Sequence, residues 1–217
     1  MNQGADLIAY YARRASEYDR IYAKPERQND LLALRSLLRD AFTGHDVLEV
    51  ACGTGYWTQV ISESARSVLA TDINETVLAV ARRKTYSNPN VRFQAADART
   101  LADVGGNFTA GFAGFWWSHI PKASLQTVLK AFHGKLLPGS LVVFLDNKYV
   151  EGSSTPVTRQ DCNGNTYQKR KLEDGVEFEV LKNFPTEAAL REEVDSHAGN
   201  PIVMEFTYYW CLRYTLR

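Results

Sequence analysis

Short runs of branched apolar residues alternate with stretches of helical spacing through the middle of the chain. The runs are six to ten residues long, and most of them end at or next to Gly, Asn or Asp, which is typical of buried strands. Alternation of strand and helix predicts a parallel sheet with helices on both faces. The predicted strands are residues 46–51, 67–73, 91–96, 108–117 and 141–146, and the helices between them are residues 56–65, 74–85 and 122–136.

The pattern changes on both sides of this alternating region. Residues 5–22 predict one or two short amphipathic helices, and residues 28–41 predict another. Two apolar runs flank Glu173-Asp174-Gly175 and predict an antiparallel hairpin inserted near the ligand face. Thr186 is expected to cap a helix that runs to about residue 197. Residues 202–216 are expected to finish the sheet as one or two antiparallel strands.

Composition narrows the class of protein. A chain of 217 residues has the length of one domain with appendages, and 45% hydrophobic with 23% charged residues is near the globular average. The 25 basic residues balance the 25 acidic ones, so we expect neither nucleic acid nor an anionic membrane surface as a partner. Cys52, Cys162 and Cys211 share no metal-ligand spacing, so no metal site is predicted. With no leader and no membrane span predicted, we expect a cytoplasmic protein.

Two glycines and three acids mark one edge of the predicted sheet. Gly53 and Gly55 follow the first strand, where the bare backbone can approach a ligand and the next helix presents its amides. Glu49, Asp72 and Asp97 lie at the ends of three neighbouring strands. Asp72 stands 19 residues after Gly53, near the spacing at which a carboxylate accepts from ribose hydroxyls. Three carboxylates repel a pyrophosphate but suit a cationic or neutral nucleoside.

Two other kinds of nucleotide site fit the residues of the glycine turn less well. A dinucleotide site needs a third small residue near Thr58, where Tyr56 and Trp57 are also bulky, so a nicotinamide dehydrogenase is the weaker alternative. No Gly-Lys-Ser/Thr follows the turn, which excludes a P-loop. For the two glycines alone, a tight connection without a ligand stays an alternative.

Three ordered motifs resemble those of the class I S-adenosylmethionine-dependent methyltransferases of the small-molecule type. They are Val47-Leu-Glu-Val-Ala-Cys-Gly-Thr-Gly-Tyr-Trp-Thr, Ala70-Thr-Asp-Ile and Gln94-Ala-Ala-Asp-Ala, within a likeness that covers roughly residues 46–147. The resemblance implies a Rossmann-like α/β sheet, mostly parallel with an antiparallel C-terminal strand. It also implies one methyltransferase domain, with a helical lid (1–42), a cofactor-binding core (43–147), a hairpin insertion (148–185) and a C-terminal helix and strands (186–217).

The resemblance assigns cofactor-binding roles position by position. Glu49, Gly53 and Gly55 would hold the methionine end of S-adenosylmethionine, and Asp72 would take the ribose hydroxyls. The adenine end would contact Ile73, Asp97 and Ala98. Tyr11 and Tyr18 of the N-terminal lid would face the sulfonium, where aromatic faces attract the cation, or else pack within an amphipathic helix. Phe115 is a further predicted cofactor contact. Ala51 departs from the glycine that many members have there; we expect tighter packing and no loss of binding.

The chemistry is expected after the fourth strand, which in this family faces the transferring methyl group. His119 is the candidate catalytic base, since an imidazole can take a proton from a phenol, a ring N–H or an activated hydroxyl. The alternative is that His119 only caps a helix or shapes the pocket. Trp116 and Trp117 would alternate across a strand, with Trp116 facing the ligand. The predicted acceptor contacts are Tyr10, Trp116, His119 and Asp146.

The expected function is methyl transfer to an oxygen or nitrogen of a small aromatic or heterocyclic metabolite, by a monomer or homodimer. Neutral charge and the absence of an added recognition domain favour a small acceptor. Two alternatives stay open: a protein or RNA acceptor, and a nucleoside-binding module without catalysis.

Overall fold

A seven-stranded mixed sheet forms the centre of the computed structural model, which describes residues 3–15, 17–172 and 174–217. The strands of this sheet are β1 (Asp46–Val50), β2 (Ser67–Asp72), β3 (Val91–Ala95), β4 (Phe108–Gly114), β5 (Leu136–Asn147), β9 (Ala198–Glu205) and β10 (Tyr209–Leu216). Their order is β3-β2-β1-β4-β5-β10-β9; the first five strands are parallel, and β10 pairs antiparallel with both β5 and β9. The predicted Rossmann-like fold is therefore confirmed.

Helices cover both faces of the sheet. Successive residues of β1 point to opposite sides. Val47 therefore packs with α2 (Gln28–Phe42) and α3 (Tyr56–Ser62), and Leu48 packs with α5 (Leu125–His133) and α6 (Glu187–Val194). On α2, the buried Leu31, Leu34 and Leu38 recur at helical spacing and form the apolar face. The α-helices of the described residues are α1 (Gln3–Arg14), α2 (Gln28–Phe42), α3 (Tyr56–Ser62), α4 (Glu75–Ala81), α5 (Leu125–His133) and α6 (Glu187–Val194).

Side chains fix where two of these helices begin and one ends. The Asn74 side chain accepts from the backbone N–H of Thr76 at 3.0 Å and caps α4, and Thr186 caps α6 in the same way. The helix α4 ends at Ala81, earlier than the predicted residue 85. The hydroxyl of Tyr86 donates to the carbonyl of Ala81 at 2.8 Å, so a side chain replaces the next helical turn.

Two predicted strands have different bounds. The fourth ends at Gly114 because Phe115 adopts a left-handed φ of +58°, and Trp117–His119 then form a 3-10 turn. The prediction that Trp116 and Trp117 alternate across a strand is therefore wrong. The fifth strand begins at Leu136 and continues through Pro138-Gly139, where its pairing with β4 shifts register, so the predicted turn is an irregularity within a strand.

The predicted hairpin is confirmed within a second, three-stranded antiparallel sheet. Its strands are β6 (Arg159–Gln160), β7 (Thr166–Lys171) and β8 (Glu177–Leu181). The turn residue Glu173 lies outside the described residues. The hairpin packs against α1, where the rings of Tyr10 and Phe178 are 5.6 Å apart. It is also joined to the turn after β4, since the N–H of Asn183 donates to the carbonyl of Ser118 at 2.8 Å.

Candidate functional site

The turn after β1 brings bare backbone to the carboxyl edge of the sheet. Gly53 and Gly55 have left-handed φ angles of +55° and +76°. A β-carbon on Gly55 would lie 2.5 Å from the hydroxyl oxygen of Tyr86, whereas a β-carbon on Gly53 would have no atom within 4 Å. Gly55 is therefore required by packing as well as by conformation, and Gly53 leaves open space at the turn.

Asp72 ties this turn to the next helix. Its carboxylate accepts from the backbone N–H of Gly53 at 2.9 Å and from that of Asn74 at 2.8 Å. Burial raises the pKa of Asp72, and the hydrogen bonds from Asn74, Gly53 and Ile73 oppose that effect. The carboxylate is thus held at the end of β2, next to the glycine turn.

Glu49 is a second carboxyl group at this edge, and its side chain is almost wholly buried. The hydroxyl of Thr58 donates to it at 2.6 Å. Burial raises the pKa of Glu49 to about 8, so the group is protonated near neutral pH. A cation beside Glu49 would favour the ionised form and bind to it. The sequence gives no sign of this hydrogen bond, since there the bulk of Thr58 argues only against a dinucleotide site.

These residues line a cavity at the strand ends, which we call the strand-end cavity. Every predicted cofactor residue except Gly55 lines it, namely Tyr11, Tyr18, Glu49, Gly53, Asp72, Ile73, Asp97, Ala98 and Phe115. Among its described lining residues, Glu49, Asp72 and Asp97 are acidic and Arg99 is the only Lys or Arg. The cavity combines aromatic walls with an excess of carboxyl groups.

Tyr11 and His119 form a hydrogen-bonded pair at the inner end of this cavity. Nδ1 of His119 is 2.6 Å from the carbonyl oxygen of Leu181, which can only accept, so Nδ1 carries the hydrogen. Nε2 therefore accepts from the Tyr11 hydroxyl at 2.9 Å. Burial, followed by the charges of Lys182 and Arg170, lowers the pKa of His119 to about 3. The ring is neutral and has no free nitrogen lone pair for another partner.

A second cavity, which we call the basic cavity, adjoins the first. It has a volume of about 480 Å³ and shares Tyr11, Tyr18, Phe115 and His119 with the strand-end cavity. Its described lining holds a single carboxylate, that of Glu17. The cationic residues of the lining are Arg14, Arg20, Lys24, Arg27, Lys169, Arg170, Lys171 and Lys182.

Three of the four predicted acceptor contacts line one or both cavities, and the fourth lines neither. Tyr10 lines the basic cavity, Trp116 lines the strand-end cavity and His119 lines both. Asp146 lines neither. Its fully buried carboxylate accepts from Nζ of Lys182 at 2.8 Å and from the N–H of Ser118 at 2.9 Å. Because Asp146 is paired with Lys182 and lines neither cavity, the structure does not support its predicted contact with the acceptor.

Sequence reasoning missed the cationic residues of the basic cavity. Arg14 comes from α1, whereas Arg170 and Lys182 come from the hairpin insertion, more than 150 residues later. No local motif joins them, and the balanced overall charge hides their convergence. The one available signal is the basic run Lys169-Arg170-Lys171 within a predicted strand.

Two further observations concern the described part of the chain. No three His, Cys, Asp or Glu side chains within it converge in a group that could hold a metal ion. Of the helices in the same ranges, none has the length and apolar character needed to cross a membrane.

Residues 47–139 match the model of the family described as "Methyltransferase domain". A demethylmenaquinone methyltransferase of Lactococcus lactis subsp. lactis is 30% identical over 142 residues, which cover 62% of this chain and 56% of that one. A second such enzyme, from Staphylococcus epidermidis, is 34% identical over 106 residues, with 48% and 43% covered. The chain spans about half the length of the curated relatives it matches.

Comparison with solved structures extends the likeness over nearly the whole chain. The DhpI–SAM–HEP complex has a TM-score of 0.79 and 27% sequence identity, covering 98% of this chain and 97% of that one. This similarity includes α1 and the hairpin insertion, which lie outside the matched methyltransferase region.

Proposed function

We propose that this chain, which belongs to the class I S-adenosylmethionine-dependent methyltransferases, binds S-adenosylmethionine in the strand-end cavity and methylates a small molecule held in the basic cavity. The observation that carries the proposal is the junction of the two cavities. They share Tyr11, Tyr18, Phe115 and His119, so a ligand in each would meet at these side chains.

The strand-end cavity fits S-adenosylmethionine chemically. This molecule has a sulfonium and an ammonium group, one carboxylate and no phosphate, so it is a net cation, which suits a lining with three carboxyl groups and one arginine. Asp72 would accept from the ribose hydroxyls, and Glu49 would lie by the methionine end. Ile73, Asp97 and Ala98 would surround the adenine. Tyr11, Tyr18 and Phe115 line the part shared with the basic cavity, where aromatic faces would attract the sulfonium.

The chain's own contribution to methyl transfer is alignment and exclusion of water. When bound, S-adenosylmethionine supplies an electrophilic methyl group on sulfur, and displacement requires the acceptor atom in line with the breaking bond. Tyr11 and His119 would hold the acceptor side of the junction, with Trp116 beside them. Since Nε2 of His119 already accepts from Tyr11 and the pKa of the ring is about 3, its surroundings favour positioning of Tyr11 over proton abstraction.

A small acceptor fits the size of the basic cavity. A volume of about 480 Å³ lies within the range of small-molecule sites, roughly 300–1,000 Å³. The relatives named as demethylmenaquinone methyltransferases and the DhpI complex with SAM and HEP support a methyltransferase with a small-molecule partner. Transfer to an aromatic oxygen or nitrogen, a cytoplasmic location and a monomer or homodimer stay predictions.

Calorimetric titration with S-adenosylhomocysteine, the demethylated product, tests the proposal. We expect saturable binding at one site per chain that S-adenosylmethionine displaces and NAD does not. Absence of binding to folded protein would overturn the proposed function. Binding without methyl transfer to any acceptor would favour the nucleoside-binding alternative.

A further inference from the structure

We propose that the methyl acceptor is a small oxyanion, a carboxylate or a phosphoryl-type acid, whose charged group binds Arg14 and Arg170 in the basic cavity and whose oxygen takes the methyl group. This inference rests on the proposed function and names the substrate class of the same site. It replaces the predicted aromatic or heterocyclic oxygen or nitrogen by the oxygen of an acid group.

Charge separation between the cavities is the first observation. The basic cavity has eight Lys or Arg residues and one Glu in its described lining, whereas the strand-end cavity has three acids and one Arg. The whole chain has no net charge, so this asymmetry is local. Adjacent cavities of opposite sign suit a cationic ligand in one and an anionic ligand in the other.

Arg14 and Arg170 are the cations best placed to receive the anion. Their guanidinium carbons lie 5.4 Å and 5.7 Å from the centre of the Tyr10 ring, so the two charges converge on one side chain. Arg14 donates to the Tyr10 hydroxyl and Arg170 donates to Oε1 of Gln168, but neither forms an ion pair with a carboxylate of the described residues. Lys182 differs, since Asp146 already neutralises it at 2.8 Å. A planar guanidinium can bind two oxygens of one acid group at once.

Arg170 also lies near the junction where the methyl group would be transferred. Its positive charge lowers the pKa of Tyr11 and of Tyr18, which burial raises. The same charge lowers the pKa of His119, as burial also does. An acid held by Arg170 would thus have an oxygen close to the side chains that both cavities share. A neutral acceptor would leave this partly buried charge without a counter-ion.

The reaction of an oxyanion needs no base. One bond forms, between the acid oxygen and the methyl carbon, and one breaks, between that carbon and sulfur. The breaking bond's electron pair stays on sulfur, which becomes a neutral thioether. The acid becomes its methyl ester with one negative charge fewer: a neutral ester from a carboxylate, and a monoanion from a doubly charged phosphoryl acid. No proton moves, which agrees with the closed hydrogen bonds of His119. Loss of one negative charge would weaken the attraction of the product to the arginines and aid its release.

Two matched series of probes test the inference with S-adenosylhomocysteine already bound. The acids are benzoate, phenylphosphonate and phenyl phosphate, and the neutral counterparts are benzamide, benzyl alcohol and phenol. Calorimetry should detect binding of at least one acid and of none of the neutral compounds. The carboxylate and phosphoryl arms distinguish which acid group the cavity prefers. With S-adenosylmethionine in place of the product, a bound acid should yield its methyl ester.

Three variants separate the outcomes. Arg170→Gln should weaken acid binding about tenfold or more, while Arg170→Lys should retain part of it. The control Arg159→Gln removes the same charge from the hairpin sheet outside both cavities, where Arg159 pairs with Glu179. It should leave the affinities for the acid and for S-adenosylhomocysteine unchanged. Neutral compounds binding as well as acids, failure of every acid to bind, or acid affinity unchanged in Arg170→Gln would each overturn the inference. S-adenosylhomocysteine should bind Arg170→Gln normally; if it fails to bind the unmodified protein, the proposed function itself fails.

Discussion

Tyr11 donates its hydroxyl hydrogen to Nε2 of His119 over 2.9 Å, linking α1 to the turn that follows β4. The two residues are 108 positions apart in the chain. The contact fixes the tautomer of the imidazole, because its other nitrogen donates to Leu181.

This pair predicts that His119 does not titrate in the physiological range. Its pKa is lowered from 6.5 to about 3, chiefly by burial, so the folded protein keeps the ring neutral while the unfolded chain takes up a proton below about pH 6.5. The His119 contribution to stability is therefore lost as the pH falls from about 6.5 towards 3. NMR should show a constant His119 ring signal from about pH 5 to 8 in the folded protein, and titration near 6.5 in urea. A midpoint near 6.5 in the folded protein would contradict this prediction.

Substitution of Asp72 should affect cofactor binding strongly. Asp72→Ala removes the proposed ribose contact and the acceptor of the Gly53 N–H, so affinity for S-adenosylhomocysteine should fall at least tenfold, about 1.4 kcal/mol. Calorimetry measures this, and Asp103→Ala is the matched control because that exposed residue does not line the strand-end cavity. Equal affinity for the Asp72 variant and the control would show that the ribose assignment is wrong.

Glu49 should couple ligand binding to proton release. Its pKa is about 8 in the ligand-free protein, and the ammonium group of the ligand's amino-acid end, placed beside Glu49, would lower that value. Affinity for S-adenosylhomocysteine should therefore rise with pH between about 6 and 8, with a proton released on binding. Calorimetry in two buffers of different ionisation enthalpy measures the release.

The matched variant Glu49→Gln should bind more weakly and lose most of this pH dependence. The raised pKa of Glu49 also makes the stability of the ligand-free protein depend on pH. The ligand-free folded protein holds a proton that the unfolded chain has released, so the free energy of unfolding falls as the pH rises from about 4.5 to 8. Proton release that persists unchanged in Glu49→Gln would place its source elsewhere.

The two glycines of the turn should respond differently to alanine. Either substitution places a β-carbon at left-handed φ, which costs about 1–2 kcal/mol. Gly55→Ala also brings that carbon against the Tyr86 hydroxyl and disturbs its hydrogen bond to Ala81, which adds about 1 kcal/mol. Urea unfolding should rank Gly55→Ala below Gly53→Ala in stability. Adding Tyr86→Phe to Gly55→Ala should relieve the contact; an unchanged difference would rule out this explanation.

Much of the fold was predictable because its signals are local. The parallel strands are short and apolar, and the glycines and acids of the strand-end cavity come directly at or after strand ends. Since parallel strands share one carboxyl edge, Glu49, Asp72 and Asp97 were expected close together. The roles of these side chains in binding stay predictions.

The remainder depended on contacts between distant segments. A left-handed Phe115 is not visible in the sequence, and it removes Trp116 and Trp117 from the strand they were expected to share. The basic cavity joins α1 to β7 and to Lys182, just after β8, so no spacing along the chain marks it. Asp146 has a suitable strand-end position, but its partner Lys182 is 36 residues away and keeps it buried.

Because Tyr11, Tyr18, Phe115 and His119 line both cavities, we expect ligand binding in one cavity to be thermodynamically coupled to binding in the other. A ligand that orders these rings in one cavity would raise or lower the affinity of the other cavity for its own ligand. By reciprocity, the factor by which S-adenosylhomocysteine changes the dissociation constant of an acid must equal the factor by which that acid changes the dissociation constant of S-adenosylhomocysteine. A substitution at Tyr11 will therefore alter this cooperativity as well as either affinity.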